Sequence, residues 1–199
     1  MATPITIPVD IHLISLGVEE EKIVERPVRV GRETRIQRER VTRVRQIPLR
    51  RGEADVRAAF TIANTIWAPA DIGFQVGTIS PESAVIPGGA EVVDDSGFGY
   101  LARLFGPGNA VSLLVVNGFA GTEGGSAVAE WRTCIVGAWS NPYLGTVLAH
   151  ELGHLLSLEH IQDSWNVMHP ALHADNRLTP RQIRQARGSA LARRVSGPP

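Results

Sequence analysis

The stretch HELGHLLSLEH, residues 150–160, sets three histidines at spacings of four and then six. On a helix, His150 and His154 lie about 40° apart around the axis and one turn apart along it, so both imidazoles reach one ion. Glu151 stands between them, where its carboxylate reaches a water on that ion without ligating it. H-E-x-x-H on a helix therefore reads as a zinc pair with a general base. Many unrelated helices carry those five residues, but here Val147, Leu148, Leu152, Leu155 and Leu156 flank them and predict a buried helix over 144–156. Buried imidazoles and a buried carboxylate need partners. One cation serves them together, whereas a hydrogen-bonded polar cluster would need several unrelated groups.

A zinc enzyme of this kind uses three protein ligands and keeps the fourth position for water. No glutamate follows Glu159, which closes the architecture with a downstream glutamate ligand; Asp175 could serve in an aspartate-liganded version. His160 is the better candidate, on one condition. In a continued helix it would point about 120° away from His154 and lie about 9 Å further along the axis. To share the ion, the chain must leave the helix between Leu156 and Leu158 and turn back sharply.

The remainder of the chain bounds what surrounds this cluster. The 199 residues suit one domain, expected here as a single unit 1–199 with an upper subdomain (1–156) and a lower subdomain (157–199). With 43% hydrophobic residues a core can be filled, and a formal net charge of zero gives the whole molecule no bias toward nucleic acid or membrane. The charge is unevenly placed, however. Residues 19–53 hold eleven of the twenty basic residues and seven of the twenty acidic ones. In that segment PVRV and VTRVRQI alternate with period two, which fits an exposed arginine-decorated hairpin or arm; a solvated, irregular segment fits equally. Cys134 is the single cysteine, so no internal disulfide forms, and its place in an apolar run makes it a buried structural thiol. No basic region followed by an apolar run opens the chain and no run is long enough to span a membrane, so the expectation is a protein that works inside the cell or leaves it by a route without a leader.

Strands are expected over 5–16, 72–79 and 109–119, and a pair of short strands or a hairpin over 126–139. Val56, Ala59, Phe60, Ala63, Ile66 and Trp67 share one helical face in 54–67, and Pro69 ends that helix. Thr179 as N-cap and Pro180 at the first position start a last helix. Strand, helix, several strands, helix, loop, helix is the order of an α/β domain. Gly97, Gly99 and Ala102 match a dinucleotide-binding spacing, but EVVDDS precedes it and GPGN cuts off any long helix after Phe105, so a loop is expected there. Asp94 and Asp95 beside Gly97 are weak grounds for calcium, and a plain turn is the better reading.

HELGHLLSLEH resembles the H-E-x-x-H-x-x-G-x-x-H signature of the metzincin zinc peptidases, and NVMHP (166–170) resembles their Met-turn. The resemblance implies an α/β (α+β) fold with a twisted mixed sheet and the active-site helix above a small C-terminal subdomain that ends in a helix. It implies one catalytic Zn2+ on His150, His154 and His160, Glu151 as general base, and Met168 beneath the metal. It also implies a protein or peptide substrate lying extended on an edge strand at Ser126, Ala127, Val128 and Ala129, with Pro170 in the wall beside the scissile bond. The implied activity is that of a zinc-dependent endopeptidase in which a zinc-bound water attacks the peptide carbonyl. Segment 19–53 has no counterpart in a minimal member and reads as an insertion, suited either to covering the cleft or to docking an acidic partner. Two departures stand out. Ser157 replaces the family's glycine at the turn, and Pro170 stands where some members place a tyrosine. His169 and His173 read as wall or surface residues. The competing readings are a zinc-binding module without peptidase activity, against which Glu151 argues, and a nucleic-acid binder resting on the basic segment alone.

Overall fold

The structure is a computed structural model that describes residues 3–31, 33–86, 91–106, 108–120, 124–137, 143–171 and 176–196. Its strands are β1 (Ile5–Val30), β2 (Glu33–Ile47), β3 (Ile72–Val85), β4 (Val111–Val116), β5 (Gly125–Val128) and β6 (Thr133–Gly137). Its α-helices are α1 (Glu53–Trp67), α2 (Asp95–Leu104), α3 (Leu144–Leu155), α4 (Pro180–Arg187) and α5 (Ala190–Ser196). One six-stranded sheet runs in the order β2-β1-β4-β6-β5, with β3 also paired to β1. β1, β3, β4 and β6 are parallel to one another, while β5 returns antiparallel to β6 and forms the far edge.

Burial follows from the strands' composition. β4 and β6 are buried along their whole length and carry almost only apolar residues, as strands covered on both faces must. On one face Ile7, Val9, Ile11, Leu113 and Val136 meet α1 and α3 through Phe60, Trp67, Leu148 and Leu152. On the other, Ile14, Leu16, Leu114, Val116 and Ile135 form a second cluster with Phe98, Leu101 and Ala102 of α2. That helix corrects the loop expected at Gly97–Ala102. Its buried residues fall at helical spacing, and the Asp94 carboxylate caps its start by accepting from Gly97 N at 2.8 Å. Among the described residues between β3 and α2 only Val93 forms a bridge, so no described strand leads into this helix as a dinucleotide-binding turn needs. The last helix is broken in two at Gly188, and Ser189 caps its second half.

The 19–53 segment is a hairpin. β1 pairs with β2 from Leu16↔Ile47 to Val30↔Glu33, and beyond Gly17 the ribbon has no further strand beside it among the described residues. Thirteen residues at about 3.3 Å each carry it roughly 40 Å from the sheet. Cross-strand ion pairs line it, among them Arg38–Glu25 at 2.9 Å and Arg26–Glu39 at 3.6 Å. Ile23 and Ile36 are about 60% exposed on it. The helix expected over 144–156 ends at Leu155, one residue early.

Candidate metal centre

α3 lies on the sheet with most of its length buried, because apolar residues occupy nearly every position around it. Trp67 of α1 packs beside it and donates its indole N–H to the Ala149 carbonyl at 3.1 Å. Two glycines let neighbours approach: a Cβ on Gly145 would strike Ile62, and one on Gly153 would strike the Met168 sulfur.

The helix ends where the histidine spacing requires. Leu156 is its C-cap and Ser157 takes φ +64°, the left-handed conformation. Ser157 N donates to His154 O at 2.9 Å and Leu158 N to Gly153 O at 3.0 Å, the paired bonds of a Schellman turn. The chain thereby reverses within two residues and His160 returns to the helix face. Serine holds the place glycine usually takes, and Gln185 Nε2 donates to its carbonyl at 2.6 Å from α4.

Three ring nitrogens meet as a result. His150 Nε2, His154 Nε2 and His160 Nε2 stand 3.0–3.1 Å from one another. His150 Nδ1 donates to Val167 O at 2.7 Å and His154 Nδ1 to Leu158 O at 2.9 Å, which places the proton of each ring on Nδ1 and the lone pair on Nε2. Burial pushes the pKa of His150 down, with the imidazoles of His160 and His169 adding to the effect and the Val167 bond opposing it. Neutral imidazoles whose lone pairs converge cannot hydrogen-bond to one another through those nitrogens, so the donor set fits a cation. Two imidazoles on a tetrahedral zinc stand about 3.3 Å apart, near the spacing here.

The Met-turn supports this cluster from below. Met168 is fully buried, its N–H bonds to Asn166 Oδ1 at 2.9 Å, and its carbonyl accepts from Ile161 N at 3.0 Å. Asn166 and Gln182 exchange two side-chain bonds of 2.8 and 2.9 Å, so α4 holds the turn whose Val167 carbonyl orients His150. Glu151 is buried on α3 and lines a groove of about 450 Å³ with Gly125–Glu130, His154 and His160. A Cβ at Gly125 would lie 2.7 Å from Glu151 Oε1, so that glycine makes room for the carboxylate.

The matrixin peptidase family model matches residues 54–185, about two thirds of the sequence. The chain belongs to the matrixin family. Among solved structures it is similar to metalloproteinase-II from Bacteroides fragilis, with a TM-score of 0.50 and 16% identity, over 92% of this chain and 52% of that one. It also matches archaemetzincin from Methanopyrus kandleri, with a TM-score of 0.47 and 14% identity, over 92% of this chain and 94% of that one. A third match is a zinc-dependent peptidase from Methanocorpusculum labreanum, with a TM-score of 0.43 and 17% identity, over 66% of this chain and 94% of that one. The matrixin chain thus spans about half the length of the Bacteroides protein. No curated protein matches it by sequence. The matched family is one of peptidases, and zinc is the metal the three imidazoles would take.

In this matrixin chain the structure brings Glu151, His154 and His160 together with Ser126, Ala127, Val128 and Ala129 on one groove, joins the buried His150 to them through the imidazole cluster, and places Met168 under the helix. Pro170 is half-buried and is not among the described residues that line the groove. His169 is engaged by its own turn, with Ala171 N 3.0 Å from Nδ1. His173 and Asp175 lie outside the described residues. Cys134 is buried in β6, and burial raises its thiol pKa well above the ordinary range, with the Glu151 charge adding to the effect. Four supporting groups escaped the sequence reading: Gly125, Trp67, Asn166 and Gln182. Trp67 and Asn166 were read only as part of a helical face and of the Met-turn, and Gln182 left a signal as the third residue after the Thr179 cap, where a capping box expects Glu or Gln.

Proposed function

We propose that the chain is a zinc-dependent endopeptidase in which His150, His154 and His160 hold the metal and Glu151 moves the proton. The observation that carries this reading is the trio of Nε2 atoms at 3.0–3.1 Å, two of them with Nδ1 bound to carbonyls. Zinc held there supplies Lewis-acid polarisation of a carbonyl and acidifies water toward neutrality. Glu151, buried at the groove floor, takes the proton of the attacking water and returns it to the departing amine. A peptide lies extended along β5 at Ser126–Ala129 and pairs with its backbone. Met168 and the Asn166–Gln182 bonds keep the His150 ring aimed, and Pro170 is assigned to the wall after the Met-turn. Residues 1–199 act as one unit, the upper subdomain (1–156) and the lower subdomain (157–199) meeting at the groove.

The arm is read as an insertion that docks an acidic partner, since residues 26–45 carry eight arginines against two glutamates. The test of the main reading measures bound zinc and cleavage of a mixed peptide library. Glu151→Gln is expected to keep one zinc per chain and lose turnover by about 10²–10⁴-fold. Unimpaired turnover in that variant, or a metal-free wild type under saturating zinc, overturns it.

A further inference from the structure

β5 returns into β6 through Ala129–Arg132, and this turn is rigidly held. Trp131 N bonds to Val128 O at 3.2 Å and Arg132 N to Ala129 O at 3.1 Å. Arg132 takes φ +49°, a conformation maintained from outside the turn. Its guanidinium donates to Asn109 O at 3.1 Å and Gly108 O at 2.9 Å, and its carbonyl accepts from Ser112 N at 3.0 Å. The Trp131 ring meets Phe98 edge-on at 6.5 Å. The two residues after Glu130 are therefore anchored to the body of the protein, and Glu130 itself is left exposed on the groove.

With zinc on the imidazoles offsetting the Glu151 carboxylate, the remaining side-chain charge along that groove is one-sided. Its lining contains Glu130 and Glu151 and not one lysine or arginine among the described residues, although the chain has twenty. The nearest guanidinium in sequence, Arg132, is committed to main-chain carbonyls. Glu130 has no ion-pair partner among the described residues, and Glu151 is buried at the floor. Beyond His160 the adjoining cavity carries both Glu159 and Arg181, so the bias belongs to the β5 side alone.

We propose that Glu130 is a specificity-determining residue that selects a lysine or arginine side chain in a peptide bound along β5. The inference rests on the endopeptidase reading and names the substrate class of that same site. Gly125 abuts Glu151, and Glu130 follows five residues later. At about 3.3 Å per residue the selected side chain sits up to about 16 Å from the bond attacked, at a single position on one side of it. A screened ion pair at a groove rim favours the basic peptide by about 1.5- to 5-fold over a neutral one.

The test uses the full-length, zinc-loaded chain and fluorescent peptides that differ at one position, carrying lysine, methionine or glutamate there. Anisotropy with Glu151→Gln reads binding without cleavage, and kcat/KM ratios with intact Glu151 read selection during turnover. Lysine is expected to win at one position, with an advantage that shrinks as salt rises. The ratio should fall to about one in Glu130→Gln and invert in Glu130→Lys. Equal affinity for all three peptides, or a lysine preference that survives Glu130→Lys, overturns the proposal. Cleavage without preference defeats this inference and leaves the peptidase reading; preferential binding without cleavage by the intact chain does the reverse.

Discussion

Replacing Ser157 with glycine should make the metal-free protein more stable, although it removes atoms. At φ +64° an L-residue loses roughly 1–2 kcal/mol relative to its preferred conformations. Glycine avoids that strain but returns roughly 0.4–1 kcal/mol through the greater freedom of its unfolded chain. The Ser157 side chain is exposed, so no cavity forms, and the main-chain bonds to His154 and Gln185 do not depend on it. The net gain is about 0.5–1 kcal/mol, a rise of about 1–4 °C in Tm for a chain of this size. Urea and thermal unfolding after chelation measure it without the stabilisation that bound metal adds. Ser157→Val serves as the opposite control, because a β-branched residue fits the left-handed region worst. Zinc affinity should change by less than about twofold in Ser157→Gly, since the bonds that make the turn are main-chain bonds and glycine can form them all. A fall in stability on going to glycine refutes the strain argument. A large tightening of zinc binding would show that the metal imposes the turn.

The packing around the metal centre leads to three further expectations. Gly153→Ala drives a Cβ into the Met168 sulfur and to 3.4 Å from Trp67 Cζ2, so denaturant unfolding should show a loss of about 1–3 kcal/mol. Gln182→Leu strips Asn166 of its two bonds to Gln182 and should cost about 1–3 kcal/mol, with weaker zinc binding in a competition titration because the turn that fixes the Val167 carbonyl on His150 loosens. Cys134 should resist thiol reagents at mildly alkaline pH until the protein unfolds. Its folded pKa lies above its unfolded value of about 8.5, so its contribution to stability is complete below that pH and is lost as pH rises further; a Cys134→Ala variant should lack that alkaline loss.

What the sequence disclosed and what it concealed divide along physical lines. The α3 helix, its early stop and the return of His160 were legible because helix geometry and metal-ligand reach are local rules; the φ of Ser157 is what those rules demand. The β5–β6 hairpin was legible as two short apolar runs. α2 was hidden because Gly97 and Gly99 depress helix propensity, and what decides the matter is the burial of Phe98, Leu101 and Ala102 under Ile14 and Leu114, residues distant in sequence. Gly125 was hidden for a related reason. A glycine among the turn residues of GTEGGS has many uses, and only the approach of Glu151 from another element shows which one applies.

The arm raises the question of how so long a projection leaves the metal centre undisturbed, and Gly17 supplies the answer. A Cβ there would stand 2.7 Å from Val44 and 2.8 Å from Val85, so three strands converge at a point only glycine permits. Before Gly17, β1 is flanked by β3 and β4; after it, only β2 remains among the described residues. The root is tied to the sheet by Asn117, which bonds to Pro48 O and Arg50 N at 2.8 Å, and by the Leu49 N to Ser15 Oγ bond at 3.3 Å. Every residue of the metal centre comes from positions after 124, and the arm's side chains are mostly exposed, so its removal strips little apolar contact. Excising residues 20–43 with an Asn-Gly turn between the stumps should therefore leave zinc stoichiometry and peptide cleavage within about twofold of wild type. Loss of zinc in that variant would mean that the sheet transmits strain from Gly17 across β4 and β6 to α3. A rise in cleavage would instead assign the arm to restraint of the groove.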